Sequence, residues 1–194
     1  MARWEPGAEE RLREAALLLF DEQGFEKTTV AQIAERAGLN RRTFFHHFAD
    51  KREVVFAGQE TSDELIATAI RTQPEGVPPL PAAVAGLAHA ADTLYEQYRE
   101  GAVLLGRVIA ASPELREREL VKRAALADTI AAALRARDTN EPAAAVAAWT
   151  AVAIFFVARN HWNQPGNNRT LADLMTATLE NYLTTAEGRP GGVL

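Results

Sequence analysis

Between Thr28 and Glu53 the chain packs the start and stop signals of two short helices around one glycine, Gly38. Thr29 can accept from a free amide of an opening turn, and Gln32, three residues on, can reach back to the Thr29 amide, which makes a capping box. Val30, Ile33, Ala34 and Ala37 then recur at helical spacing and form one apolar stripe. Gly38 stands where a left-handed residue ends a helix, with Leu39 as the apolar contact beyond it. Asn40 is a cap for a second helix whose first turn is Arg41, Arg42 and Thr43. Phe44 and Phe48, four apart, anchor that helix inward and leave Arg41, Thr43, Phe45 and His46 toward the open side. Two capped helices about a glycine turn, the second carrying cations and aromatics, are built like a helix-turn-helix reader of DNA.

Upstream, Leu12, Ala16, Leu19 and Phe20 define an amphipathic helix that stops at Gly24, so residues 8 to 50 form a three-helix unit. Downstream, Asp50 and Glu53 make another capping box and start a helix with Lys51 in its first turn. Basic residues in a first turn oppose the helix dipole, and an external anion relieves the conflict. Duplex phosphates are the obvious anion for the cluster of Arg41, Arg42, Lys51 and Arg52.

The remainder is a larger helical body. With 194 residues, 47% of them apolar, the chain suits one compact body or a small domain fused to a larger one. It has no cysteine, which excludes a disulfide scaffold and thiolate metal sites and suits a reducing cytoplasm. The start has no apolar stretch like a signal peptide. A formal charge of −5 argues against general coating of nucleic acid but is compatible with a local basic patch. The division expected is a DNA-binding domain over 1–50, a ligand-binding and dimerisation domain over 51–187, and a disordered tail over 188–194.

In the second part a connector helix is expected over 51–71, followed by a non-helical proline-rich loop, Pro74 to Pro81. Helices are expected near 82–99, 102–111, 113–137, 142–163 and 170–187, and no strand-like alternation appears. From Ala143 to Ala158 the only polar residue is Thr150, so that helix must be covered on both sides. It is slightly short for a membrane span, and no membrane partner is expected. One of its faces carries Ala145, Trp149, Val152, Ala153 and Phe156, and the other Ala144, Ala147, Ala151, Ile154, Phe155, Ala158 and Trp162. A homodimer interface is expected at Ala151 and Ile154 together with Leu171, Met175, Leu179 and Tyr182 of the last helix. Tyr95, Tyr98, Arg107, Trp149, Phe155, Arg159 and Trp162 are candidates for a small-molecule pocket, although core packing accounts for each singly.

Catalytic chemistry finds no support. Adjacent His46 and His47 cannot hold one metal from one helix face, and no helix carries the Glu-x-x-His pairs of a di-iron bundle. His89 lies on a small-residue helix, where a packed or solvated histidine is the simpler reading. No catalytic residue, metal site or cofactor is expected.

The run from Thr28 to Lys51 resembles the DNA-binding domain of the TetR family of bacterial transcriptional regulators. Its Arg-Thr-Phe-Phe segment looks like the branch that contains the mycofactocin regulator. The resemblance implies an all-α protein with an N-terminal three-helix helix-turn-helix domain and a larger C-terminal helical bundle for ligand binding and dimerisation. It implies a homodimer, usually a repressor, that binds a palindromic operator and is released by a small-molecule effector. It also assigns Thr29, His47 and Lys51 to backbone phosphates, and Arg41, Arg42 and Thr43 to recognition-helix contacts. Two positions depart from the family pattern. Phe45 and His46 stand where paired tyrosines are common, so Phe45 would rest on sugar or a thymine methyl. Ala31 stands where a polar base contact is common, which shifts the reading of sequence to Arg41, Arg42, Thr43 and His46. The competing reading is an all-helical enzyme or protein-interaction module that keeps the N-terminal fold without operator binding.

Overall fold

In the computed structural model, which describes residues 7–96 and 99–188, every regular element is helical. Helices α1 (Ala8–Gln23), α2 (Val30–Arg36) and α3 (Arg41–His47) are followed by one 3-10 turn, Glu53–Phe56. Then come α4 (Gln59–Arg71), α5 (Pro79–Leu94), α6 (Arg99–Ala111), α7 (Pro113–Arg135), α8 (Glu141–Trp162) and α9 (Leu171–Ala186). Two packing units emerge. The first joins the described residues through Gln59 with Glu100–Leu120, and the second joins Glu60–Arg99 with the residues from Val121 onward. Packing therefore draws the units differently from a division after residue 50: the 3-10 turn, most of α6 and the first turns of α7 belong with α1 to α3.

The first unit is centred on Leu12, Ala16 and Phe20 of α1, Ile33 of α2 and Phe44 of α3, with Val54, Val55, Val108 and Leu115 closing the core. The expected 51–71 helix is interrupted. Asp50 Oδ1 does accept from the Arg52 and Glu53 amides, at 2.7 and 3.2 Å, but the turn it starts ends at Phe56. Ala57 leaves helical geometry with ψ 142°, and Gly58 has φ 81°, so α4 begins afresh. Burial of Val54 and Val55 in the core fixes this short turn in place of a continuous rod.

In the second unit α5, α8 and α9 pack against one another. The expected loop through Pro81 is shorter than anticipated, because α5 starts at Pro79 with Leu80 and Pro81 in its first turn. First-turn amides have no intrahelical acceptor, so proline costs nothing there and its fixed φ favours the helix. Gly86 is where α5 crosses α4: a Cβ at this position would run into Ile70 Cγ1. The turn after α7 supplies Arg137, whose guanidinium donates to the carbonyls of Ile70, Gln73, Pro74 and Val77 and so caps the end of α4.

Helix α8 shows why alanine dominates it. Ala144, Ala147, Ala148, Ala151, Ile154, Phe155, Ala158 and Trp162 are all buried, and small side chains let α5 and α9 approach closely. By length and composition α8 could cross a membrane, but this face is packed against its own unit. Its other face is open, with Val146, Trp149 and Val157 exposed. Tail residues 189–194 lie outside the described residues.

Candidate nucleic-acid interface

The two signals read around Gly38 form as hydrogen bonds. Gln32 Oε1 accepts from the Thr29 amide at 2.8 Å, while the Gln32 amide donates to Thr29 Oγ1 at 3.3 Å, a complete capping box. At the other end of α2 the Leu39 amide donates to Ala34 O at 2.8 Å and the Gly38 amide to Glu35 O at 2.9 Å. These two bonds, with Gly38 at φ 66°, terminate the helix in the left-handed manner that glycine permits. Asn40 Oδ1 accepts from the Thr43 amide at 2.9 Å and starts α3.

That geometry decides what α3 presents. Phe44 and Phe48 are buried with ring centroids 5.4 Å apart, and Phe45, half exposed, rests edge-on against Phe44 at 5.5 Å. Arg41, Arg42, Phe45 and His46, at i, i+1, i+4 and i+5, are all exposed. Thr29 and Thr43 sit at the expected places, but their hydroxyls donate locally, to Gln32 Oε1 at 3.0 Å and Asn40 Oδ1 at 3.2 Å. His47 Nδ1 lies 4.0 Å from Glu9 Oε2 on α1. Lys51 Nζ donates to the carbonyls of Phe25 and Thr28, at 2.8 and 3.3 Å, and lies 4.0 Å from the centre of the Phe25 ring.

Pairing separates the cations of this unit. Arg36 forms a two-pronged bridge to Glu22, at 2.5 and 2.7 Å, and the guanidinium holds that carboxyl below its usual range. Arg52 binds Asp50 at 2.6 Å and lies 3.6 Å from Glu114; its hydrogen bond lowers the Asp50 carboxyl in turn. Arg118 binds Glu53 at 2.7 Å and Arg107 binds Asp21 at 3.2 Å. Among the described residues Arg41 and Arg42 have no such partner, and α3 has no acid in its first turn. Arg11, Arg13 and Lys27 are likewise without a carboxylate, which the sequence hides because Glu9, Glu10, Glu14 and Glu26 lie close by along the chain. The expected cluster of Arg41, Arg42, Lys51 and Arg52 thus divides: the first two are uncompensated, and the last two are held internally.

The ligand-pocket candidates also divide. In the second unit Tyr95 meets Phe155 edge-on at 6.0 Å, and Arg159 lies 5.9 Å from the Phe155 ring and 4.4 Å from Phe156. Trp162 is buried, donates from Nε1 to Glu96 at 3.0 Å and is covered by Arg99 at 4.9 Å. Arg107 is in the first unit, paired with Asp21. Tyr98 lies outside the described residues. Trp149 is on the open face of α8, where Thr150, Ala153, Ile154, Val157, Thr178 and Tyr182 join it around a groove of about 430 Å³. The expected dimer contacts divide by burial. Ala151, Ile154, Leu171 and Met175 are buried within the subunit, at 4% exposure or less, because they pack the helices of their own unit together. Of the six, Tyr182 is exposed and Leu179 half-buried, and on α8 Trp149 and Val157 are exposed.

Among the described residues every regular element is helical, and the first unit offers a capped helix-turn-helix with uncompensated arginines. Residues 12–57 match the family model of bacterial regulatory proteins, tetR family. Over that segment the chain is similar to the DNA-binding domain of the tetR family. It is 45% identical over 73 residues to the HTH-type transcriptional regulator TcmR of Streptomyces glaucescens, covering 38% of this chain and 32% of that protein. It is 34% identical over 62 residues to the HTH-type transcriptional repressor Rv1474c of Mycobacterium tuberculosis, covering 31% and 33%. The alignments thus span about a third of the length of these curated relatives. Among solved structures, the TetR-family repressor FadR of Thermus thermophilus, in complex with lauroyl-CoA, superposes with TM-score 0.53 and 24% identity, covering 90% of this chain and 93% of that one. SmeT, the repressor of a Stenotrophomonas maltophilia multidrug efflux pump, does so with TM-score 0.58 and 21% identity, covering 92% and 89%. At these identities the structural matches carry the fold.

Proposed function

We propose that this chain represses transcription as a homodimer that binds a palindromic operator and is released by a small-molecule effector. The observation that carries the reading is the pair Arg41 and Arg42: exposed, uncompensated, and set beside Phe45 and His46 on one face of a capped helix. An enzyme has no need of such a face. Phosphate contacts by these arginines release counterions and supply affinity, and contacts to base edges supply sequence preference. The open side of α8 and α9, with Trp149, Val157 and Tyr182, offers the apolar area a second subunit would cover.

Selection of binding sites from a pool of random duplexes tests this reading. The expected product is an inverted repeat whose half-site centres lie roughly 34–36 Å apart in straight B-DNA. Enrichment of one unrepeated half-site, or of nothing, would overturn it. For the effector, the lauroyl-CoA in the FadR structure makes an acyl-CoA the first probe. Ligand and operator must weaken each other by the same factor if they share one switch.

A further inference from the structure

We propose that Phe45 is a specificity-determining residue: its ring reads the C5-methyl group of one pyrimidine in each half-site, so that thymine and 5-methylcytosine are favoured there over uracil and cytosine. The proposal rests on the duplex-binding reading above. Among the described residues of α1 to α3, Phe45 is the one large apolar side chain left exposed, at 50%. Its position is set from beneath. The ring meets Phe44 edge-on at 5.5 Å and 83°, and Phe44, fully buried, packs in turn on Phe48 at 5.4 Å. A ring mounted on a buried base is organised before anything covers it.

Its neighbours restrict what the cover can be. Arg41 and Arg42 precede Phe45 by four and three residues, so one turn of α3 brings the three onto one side, with His46 adjoining. All four are exposed. A surface with these cations turns toward the duplex, and the ring turns with it. A phenyl ring has no N–H or O–H to give a phosphate oxygen, and its negative face repels one. The long guanidinium side chains can span to the phosphates at the groove edge, which leaves the shorter ring for the groove itself. There the apolar group on offer is the methyl on C5 of thymine. 5-Methylcytosine carries the same methyl on the same carbon, so a ring that reads one reads the other. Deoxyribose is the alternative cover, but it is identical at every nucleotide and would give no preference among bases.

Selection from random duplexes supplies the probe: the enriched sequence, and copies of it in which each thymine in turn is replaced by uracil. At one position per half-site uracil should weaken binding by about fourfold, the worth of one buried methyl group. Log–log salt lines for the two duplexes should be parallel, since no phosphate contact is lost. With a cytosine–guanine pair at that position, methylating the cytosine at C5 should strengthen binding by a similar factor. Phe45→Ala should bind the thymine and uracil duplexes alike, and Phe45→Leu, which keeps an apolar side chain, should keep part of the preference. The unmodified complex gives a reading free of any folding defect in a variant: a nuclear Overhauser effect from the Phe45 ring protons to that methyl. Insensitivity to uracil at every thymine, the full preference retained in Phe45→Ala, or no such Overhauser effect would each overturn the proposal while operator binding stood. If selection enriched no duplex at all, the DNA-binding reading would fail and the methyl reading would fall with it.

Discussion

One carboxylate oxygen of Glu96 accepts two hydrogen bonds, from Trp162 Nε1 at 3.0 Å and from the Leu171 amide at 2.8 Å. It thereby joins the end of α8 to the first turn of α9, and both donors belong to residues buried to 1% or less. Removing the acceptor leaves two buried donors unsatisfied, at about 1–3 kcal/mol each before relaxation. Glu96→Ala should lower thermal stability clearly, whereas Glu96→Gln, which keeps an acceptor oxygen, should lose much less. Equal melting temperatures for the two variants would show that the shared oxygen is not what holds the joint.

The crossing of α4 and α5 depends on the missing side chain at Gly86. Gly86→Ala drives a methyl into Ile70 Cγ1, where something must move. Overpacking of this kind costs about 1–3 kcal/mol. In an Ile70→Ala background the same change should cost less, and a double-mutant cycle by urea denaturation reads the coupling. Strict additivity would remove Ile70 as the cause.

The uncompensated arginines should be separable by salt. Arg41→Ala and Arg42→Ala should weaken duplex binding and lower the salt slope by about one unit for each phosphate left unneutralised. Phe45→Ala should weaken binding with the slope intact, because an aromatic ring releases no counterion. Anisotropy titrations at four or five salt concentrations distinguish the two patterns. An unaltered slope in both arginine variants would move the phosphate contacts elsewhere.

Charge placed on the two faces of α8 should have opposite consequences. If the homodimer proposed above forms through the open face, Trp149→Glu or Val157→Asp should yield a folded monomer. Ala151→Glu places an unpaired carboxylate at a position with no exposure, at a cost of several kcal/mol, and should unfold the subunit. Analytical ultracentrifugation with circular dichroism reads both. A folded dimer in both open-face variants would assign self-association to another surface.

Asp50 supplies a pH signature. Its carboxyl is held below the ordinary range, first by the Arg52 side chain and then by the Arg52 and Glu53 amides, with burial opposing. A carboxyl with a lowered folded-state value stabilises the fold above its unfolded value and loses that contribution as pH falls through the folded one. Asp50→Asn should therefore melt below the unmodified protein at pH 7, by about 0.5–1 kcal/mol given the exposure of the pair. The gap should close as the pH drops below about 4. A gap undiminished between pH 7 and pH 3 would point to packing.

Local chemistry was readable where a residue's partner lies within one turn of it. Thr29 with Gln32, Asn40 with Thr43, and Gly38 as the left-handed stop all formed as spaced in the chain. The all-helical class follows from the same periodicity. Partners far apart in sequence left no such trace. Nothing near Lys51 announces Phe25 and Thr28, and nothing near Arg107 announces Asp21, 86 residues away. The two apolar faces of α8 look equally coverable on paper, so which one α5 and α9 would take was open. The break at Gly58 was missed because Val54 and Val55 fit a helix stripe as well as they fit the core they enter.

The small-residue side of α8 also sets how this protein can drift over evolutionary time. At Ala144, Ala148, Ala151 and Ala158 exposure is zero, so every larger residue demands a compensating shrinkage in the neighbouring helix, and only glycine enters without one. Exposed Val146, Trp149 and Val157 face no such constraint from their own subunit. Any restriction on what a lineage accepts there must be imposed from outside the chain. A substitution survey of α8 that found Trp149 as intolerant as Ala151 would thus register the partner itself, with no complex ever isolated.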